Sequence, residues 1–96
     1  MTFQIIRNKS RMEYIKKQEA EIITILGFNL DTIEDLSSLL RKLELLAKRT
    51  KIKEIWIPWK PTGELKSDLS KLGYKKAILG QHETSGEVLE GFKKLT

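Results

Sequence analysis

Residues 21–57 read EIITILGFNLDTIEDLSSLLRKLELLAKRTKIKEIWI, and this stretch decides the fold. Its first part, 21–28, is nearly continuously apolar and rich in β-branched side chains, as is typical of a central strand covered on both faces. Along 32–49 apolar residues recur at steps of three and four, which gives a long helix one apolar stripe. The β-branched residues of 52–57 predict a further strand. The stretch therefore predicts strand, helix and strand in that order.

The two ends of the predicted helix carry terminus signals. Thr32 can cap the first turn, and Asp35 follows three residues later as in a capping box. At the other end Lys48, Arg49 and Lys51 lie near the negative pole of the helix dipole. These signals predict a helix over about 32–49.

Pro58 ends the strand that follows the helix. Proline has no amide hydrogen, so it cannot take part in an unbroken central ladder. We therefore expect this strand to lie at an edge, to be bulged, or to diverge from its neighbour at that point.

The flanking segments complete a strand-rich chain. Before residue 21, two extended runs stand on either side of the polar turn Asn8–Ser10. After residue 60, GELKSDLSKLG predicts a short helix that closes at Gly73, and YKKAIL a strand. The final stretch 88–95 fits a helix face or a strand, and Gly91 weakens the helix. We predict a single α+β domain spanning 1–96.

Composition limits the class of protein. The chain has 96 residues, of which 40% are hydrophobic and 32% charged, and a formal net charge of +5. It contains no cysteine, which excludes disulfides and thiolate chemistry and fits a reducing cytoplasm. No window approaches the roughly 20 apolar residues of a membrane span. We expect a cytoplasmic protein without a membrane partner.

The positive charge leaves room for an acidic partner, such as nucleic acid or a phosphorylated small molecule. The basic residues are spread along the chain without a long block, so a solvated lysine surface is the simpler interpretation.

The order of the predicted elements and the motif LSKLGYKK resemble the C-terminal two thirds of the GNAT acetyltransferase superfamily. The resemblance covers about residues 3–95 and leaves out the family's N-terminal strand and helices. It implies a mixed, mostly antiparallel sheet with one long and one short helix, and it implies that 88–95 is a strand beside the strand containing Tyr74. It also implies that the two central parallel strands diverge near Pro58, where an acyl-CoA arm would enter.

The resemblance places the family's pyrophosphate-binding turn on Asp31–Leu36. This turn has no glycine and no basic residue, and it carries three carboxylates, so we expect it to refuse a pyrophosphate. The position of the family's catalytic tyrosine falls on 68–70, which has no tyrosine, and Tyr74 matches an aromatic that is normally in the core. Catalytic residues are therefore not assigned, and no cofactor is expected.

Candidate site residues follow from the alternatives. If acetyl-CoA binds, the residues expected to line its pocket are Leu26, Gly27, Phe28, Pro58 and Trp59. Contacts to nucleic acid or another partner are expected from Trp59, Lys60, Lys51 and Lys53, whereas Trp56 between isoleucines is better explained as core. His82 is the only histidine, and we interpret it as a solvated loop residue, without a metal site or a nucleophilic triad.

The leading hypothesis is a small GNAT-like, non-catalytic domain that acts by protein binding or self-association. A GNAT fold without its N-terminal third has sheet edges and an apolar face to cover, which favours a homodimer or a protein partner. The alternatives are an acetyl-CoA-dependent N-acetyltransferase and a nucleic-acid-binding protein.

Overall fold

A computed structural model describes residues 1–81 and 83–96 and shows an α+β domain. A six-stranded, mostly antiparallel sheet packs against one long and one short helix. The elements in chain order are β1 (Phe3–Arg7), β2 (Ser10–Lys17), β3 (Ile22–Asn29), α1 (Asp35–Arg49), β4 (Glu54–Ile57), α2 (Gly63–Lys71), β5 (Lys75–Gln81) and β6 (Val88–Leu95).

The strands lie in the order β1-β2-β3-β4-β6-β5. The predicted first hairpin is confirmed, with Arg7 paired to Ser10 and Asn8 in the left-handed region at a φ of 55°. Asparagine tolerates this conformation better than most residues. The open alternative for 88–95 is settled as a strand that joins β4 to β5.

Both helices lie on the same face of the sheet. The units β3-α1-β4 and β4-α2-β5 each connect parallel strands and step across the sheet in the same direction. Right-handed crossovers that step the same way place their helices on one face. Contacts agree with this, because Lys94 of β6 reaches Glu44 of α1 and the carbonyl of Leu72, just after α2.

The prediction that β3 is covered on both faces was wrong, although its central position is confirmed. Ile23 and Ile25 are fully buried beneath the helices, but Ile22 and Thr24 are only half-buried and Leu26 is 45% exposed. An apolar run alone does not reveal whether a second layer exists. The face of the sheet that is turned away from both helices is called the open face below.

The parallel pairing of β3 with β4 is short. It spans three residue pairs and stops at Thr24 opposite Trp56, while β3 continues to Asn29. The strand β4 ends at Ile57, immediately before Pro58. The expectation that Pro58 falls outside an unbroken ladder is therefore confirmed, and β4 lies inside the sheet and not at an edge.

One apolar core lies between the sheet and the helices. Its side chains come from α1, from the helix-facing positions of the strands, and from Leu69 of α2 and Tyr74 after it. Trp56 was predicted to be core, but it is half-buried on the open face, because it alternates with the buried Ile55 and Ile57. The alternation in EIWI decides this side, and it is readable once the strand is known to have one covered face.

Candidate functional site

The start of α1 is built around a buried carboxylate. Asp35 is 8% exposed, and its Oδ2 accepts a hydrogen bond of 2.7 Å from Ser10 Oγ, while Asn8 Nδ2 lies 3.5 Å from Oδ1. Ser10 Oγ in turn accepts a 2.7 Å bond from the amide of Asp31. This network fastens the β1–β2 turn to the segment that leads into the helix.

The helix begins later than predicted. Its first residue is Asp35, and the preceding Glu34 carries no side-chain cap. The hydroxyl of Thr32 does accept a bond of 3.2 Å from the amide of Glu34, in a turn that precedes the helix. The capping box was wrong, because the carboxylate of Asp35 bonds Ser10, which is distant in sequence, rather than the backbone of Thr32.

Four backbone amides of this turn already have acceptors. The amide of Asp31 donates to Ser10 Oγ and that of Glu34 to Thr32 Oγ1. The next two amides, of Asp35 and Leu36, donate to backbone carbonyls at 3.2 and 3.1 Å. A phosphate would displace these bonds and would approach a carboxylate, which repels it by about 1 kcal/mol at 4 Å even in water. The geometry disfavours a pyrophosphate at the start of α1.

The five residues named for an acyl-CoA pocket divide between two places. Leu26 is the extra residue of a β-bulge, and it lines a depression of about 200 Å³ on β2 and β3 together with Gly27 and Phe28. The rings of Phe28 and Trp59 meet edge to face with centroids 5.9 Å apart. These two aromatic side chains pack against the core beyond the point where the pairing of β3 with β4 ends, and Pro58 adjoins Trp59 in sequence.

Tyr74 is packed among charged partners. Its hydroxyl donates to Glu44 Oε2 at 3.0 Å, and Lys94 Nζ lies 2.9 Å from Glu44 Oε1 and 5.5 Å from the centre of the Tyr74 ring. Burial, and then the nearby Glu44 carboxylate, raise the pKa of Tyr74 well above its usual range. A phenol held in this way is a poor proton donor, in keeping with the core position expected for it.

The four residues named for a nucleic-acid or partner contact lie at two ends of one strand. Lys51 and Lys53 precede β4, whereas Trp59 and Lys60 follow it. At about 3.3 Å per residue the two pairs are separated by about 20 Å. Lys60 lies 2.6 Å from Glu90, and Lys53 lies 3.2 Å from Glu21. The structure does not bring these candidates into one site.

The open face carries a short apolar row with charged residues directly beside it. The strand register aligns Ile15, Thr24 and Trp56 across β2, β3 and β4, and all three are half-buried. Next to Trp56, Glu54 Oε1 accepts a 3.2 Å bond from Trp56 Nε1 and lies 3.2 Å from Nζ of Lys93, the residue paired with Trp56 on β6. The Trp56 bond first, and then Lys93, lower the pKa of Glu54.

Three other properties concern the described residues. None of their helices is long and apolar enough to cross a membrane. They contain no group of three histidine, cysteine, aspartate or glutamate side chains arranged to hold a metal ion. The interpretation of His82 as a loop residue lies outside the described residues.

Comparison with known proteins assigns no family, since no family model, curated protein or solved structure matches the chain.

Proposed function

We propose that the chain is a small, non-catalytic, GNAT-like domain that acts by self-association, and that two copies meet through their open faces. The observation that carries the proposal is the placement of both helices on one side of the sheet, which leaves the other side uncovered. Half-buried Trp56 lies at the centre of that side, and tryptophan is among the residues that contribute most at protein interfaces.

The size of the open face supports a dimer. Six strands about 4.8 Å apart and about 20 Å long present roughly 500 to 600 Å² per copy. Two such faces together bury about 1,000 to 1,200 Å², which reaches the lower range of specific interfaces.

The sheet edges are less suited to pairing with a second copy. The edge strand β5 is interrupted by a bulge between Ile78 and Gly80 and begins with Lys75 and Lys76. The other edge, β1, is only five residues long. Bulges, lysines and short strands are the features that protect sheet edges from pairing, so the open face is the better contact surface.

Sedimentation velocity over a wide concentration range tests self-association. We expect the wild type to dimerise, and we expect Trp56→Lys to weaken dimerisation by about tenfold or more, because an unpaired charge would be buried at the centre. Thr24→Lys, which leaves both tryptophans in place, should do the same. The matched control is Leu45→Lys, at a 53% exposed position of α1 on the opposite side of the domain.

A wild type that stays monomeric at the highest concentration reached would contradict the proposal. Equal weakening by Leu45→Lys and Trp56→Lys would also contradict it, because the effect would then not belong to the open face. Far-ultraviolet circular dichroism of each variant establishes that the comparison is made between folded proteins.

The second candidate is an acetyl-CoA-dependent N-acetyltransferase, and the observation that favours it is that the pairing of β3 with β4 ends at Thr24 although β3 continues to Asn29. Calorimetric titration of acetyl-CoA into the wild type and into the double variant Asp31→Asn, Glu34→Gln separates the two functions. Asp35 is left unchanged because it is buried and bonded to Ser10. We expect no heat from the wild type. Micromolar binding would overturn the non-catalytic proposal.

A further inference from the structure

Exposed cations gather at one end of the domain, where β2 ends and β4 begins. Two contacts bring these segments together, because Gln18 Nε2 donates to the carbonyl of Thr50 at 2.9 Å and the amide of Lys53 donates to the carbonyl of Glu21 at 2.9 Å. The five exposed cations of this region, called the basic end, are Lys17, Lys48, Arg49, Lys51 and Lys53.

The basic end contains a concave site. A depression of about 490 Å³ is lined by Glu21, Lys48, Lys51, Ile52, Lys53 and Thr96. Ile52 is buried and forms an apolar floor. Within the described part of the chain, Lys48 and Lys51 have no carboxylate within ion-pair distance, and Lys53 has only the exposed pair with Glu21. Exposed pairs of this kind contribute little and exchange readily, so all three ammonium groups are available to a ligand.

The opposite end of the domain carries charges of both signs. There Asp31, Glu34, Glu83 and Glu87 are exposed, and so are Arg7, Lys9 and Arg11 of the β1–β2 hairpin. The basic end is distinguished by its group of five exposed cations, beside which Glu19 and Glu21 also lie. Four of the five cations belong to the run 48–53, and the fold adds Lys17 from β2.

Lys51 has an unusual backbone conformation. It follows the C-terminal end of α1 with a φ of 61°, in the left-handed region that glycine normally occupies after a helix. A non-glycine residue costs about 1 kcal/mol there. The left-handed backbone does not favour lysine over glycine, although the nearby C-terminal end of α1 favours a cation. The Lys51 side chain makes no hydrogen bond to any described residue.

We infer that the basic end binds the phosphate backbone of nucleic acid, with Lys48, Lys51 and Lys53 around the depression and Arg49 and Lys17 beside it. Lysines without fixed partners neutralise phosphates as mobile point charges, without the rigid geometry that reads a base edge. No aromatic residue lines the depression, so binding occurs through the nucleic-acid backbone and is independent of base sequence. The depression lies at the end of the sheet, although Lys17 shares the open face with Ile15. Binding there does not require self-association.

Fluorescence anisotropy with a labelled DNA duplex of arbitrary sequence tests the inference. Affinity should fall with salt, with a log–log slope no steeper than about −4.5 for five neutralised phosphates. The double variant Lys48→Glu, Lys51→Glu should bind at least about tenfold more weakly. The matched control is Arg41→Glu, Lys42→Glu, which changes net charge equally at two exposed positions of α1 outside the basic end.

Lys51→Gly separates binding from folding. Glycine fits the left-handed backbone, so this variant should melt no lower than the wild type and yet bind the duplex several-fold more weakly. If Lys51 had only a structural role, Lys51→Gly would change the melting temperature and leave the affinity for the duplex unchanged.

Several results would overturn the inference. If both double variants lost the same amount of affinity, the duplex would be attracted by net charge alone. If the wild type did not bind the duplex at low salt, the basic end would not be a nucleic-acid site. Displacement of the duplex by tripolyphosphate at an equal phosphate concentration would assign the site to a small polyphosphate. Equal displacement by polyglutamate would assign it to acidic protein segments.

Discussion

Ser10 shows how one small side chain can hold two elements together. It is fully buried, it donates to the Asp35 carboxylate, and it accepts the amide of Asp31. No buried side-chain polar atom among the described residues lacks a partner. At the start of α1, Ser10 supplies the hydrogen bond that the buried Asp35 carboxylate needs. A buried carboxylate without a partner would destabilise the fold.

Ser10→Ala should therefore lower the free energy of unfolding by about 2 to 4 kcal/mol, because Asp35 loses its closest donor inside the protein. Urea denaturation measures the change. The control is Ser70→Ala at an exposed position of α2, which should change stability by less than about 0.5 kcal/mol. Similar losses in both variants would show that the Ser10 bond is not special.

Gly91 is required by a close approach and not by a turn. A Cβ on this residue would lie 2.1 Å from the carbonyl oxygen of Ile57 and 2.9 Å from Leu79 Cδ1. The backbone of β4 thus approaches residue 91 of β6 so closely that only a hydrogen atom fits in place of a side chain. In the sequence analysis Gly91 only weakened the case for a helix. The close contact between β6 and β4 explains why a glycine is needed at this position.

Gly91→Ala should cost about 3 kcal/mol, since β6 must move away from β4 to admit the methyl group. The matched control is Gly80→Ala in β5, where a Cβ would meet nothing within 4 Å. Thermal unfolding of the two variants gives the comparison. A Gly91→Ala protein as stable as Gly80→Ala would mean that the two strands separate at little cost.

At the scale of elements, α1, β5 and β6 are joined through Tyr74, Glu44 and Lys94. The phenol and the ammonium group share the Glu44 carboxylate, and the ammonium group also donates to the carbonyl of Leu72 at 2.8 Å. Burial raises the pKa of Tyr74, and it also raises that of Tyr14 in β2. Both phenols are therefore protonated more strongly in the folded protein than in the unfolded chain.

This difference predicts a loss of stability at alkaline pH. Unfolded tyrosines ionise near pH 10, while the folded ones keep their protons, so the unfolded state releases protons first. Stability should be complete below about pH 10 and should fall as the pH rises above that value. Denaturation at several pH values should show the fall, and Tyr74→Phe should make it shallower. Tyrosinate absorbance that appears near pH 10 in a still folded protein would contradict this.

The elements themselves were largely predictable, because their signals are local. The short helix, the hairpin turn at Asn8 and the end of β4 before Pro58 all follow from neighbouring residues. The start of α1 was not predictable in this way, since Asp35 is bonded to Ser10, which lies 25 positions earlier. A partner so far away in sequence leaves no periodic pattern.

At the scale of the whole molecule, the handedness of two crossovers decides which surfaces remain uncovered. The apolar run of β3 suggested cover on both faces, whereas the placement of α1 and α2 on one face depends on strand order. The fold also brings Lys17 of β2 beside the cations of 48–53, which already lie close together in the sequence. The candidates chosen from sequence contained two members of that end, Lys51 and Lys53, and joined them to Trp59 and Lys60 at the other.

Self-association makes a prediction about the melting temperature. A dimer that forms only from folded copies is stabilised by mass action, so the melting temperature should rise with protein concentration. The Trp56→Lys variant should lose this dependence, and Leu45→Lys should keep it. Scanning calorimetry at several concentrations provides the measurement. A wild-type melting temperature independent of concentration would exclude linkage between folding and assembly.

The short parallel pairing between β3 and β4 also divides the sheet into two halves that are each continuous in the chain. One half is β1-β2-β3, followed by α1, and the other is β4-β6-β5 with α2. Only three residue pairs join the two halves within the sheet. A cut in the connection between α1 and β4 would thus separate the protein into two fragments without breaking any strand. The domain therefore has an architecture suited to a split reporter. Two partner proteins fused to the two fragments would bring the fragments together, and refolding of the domain would report that the partners had bound each other.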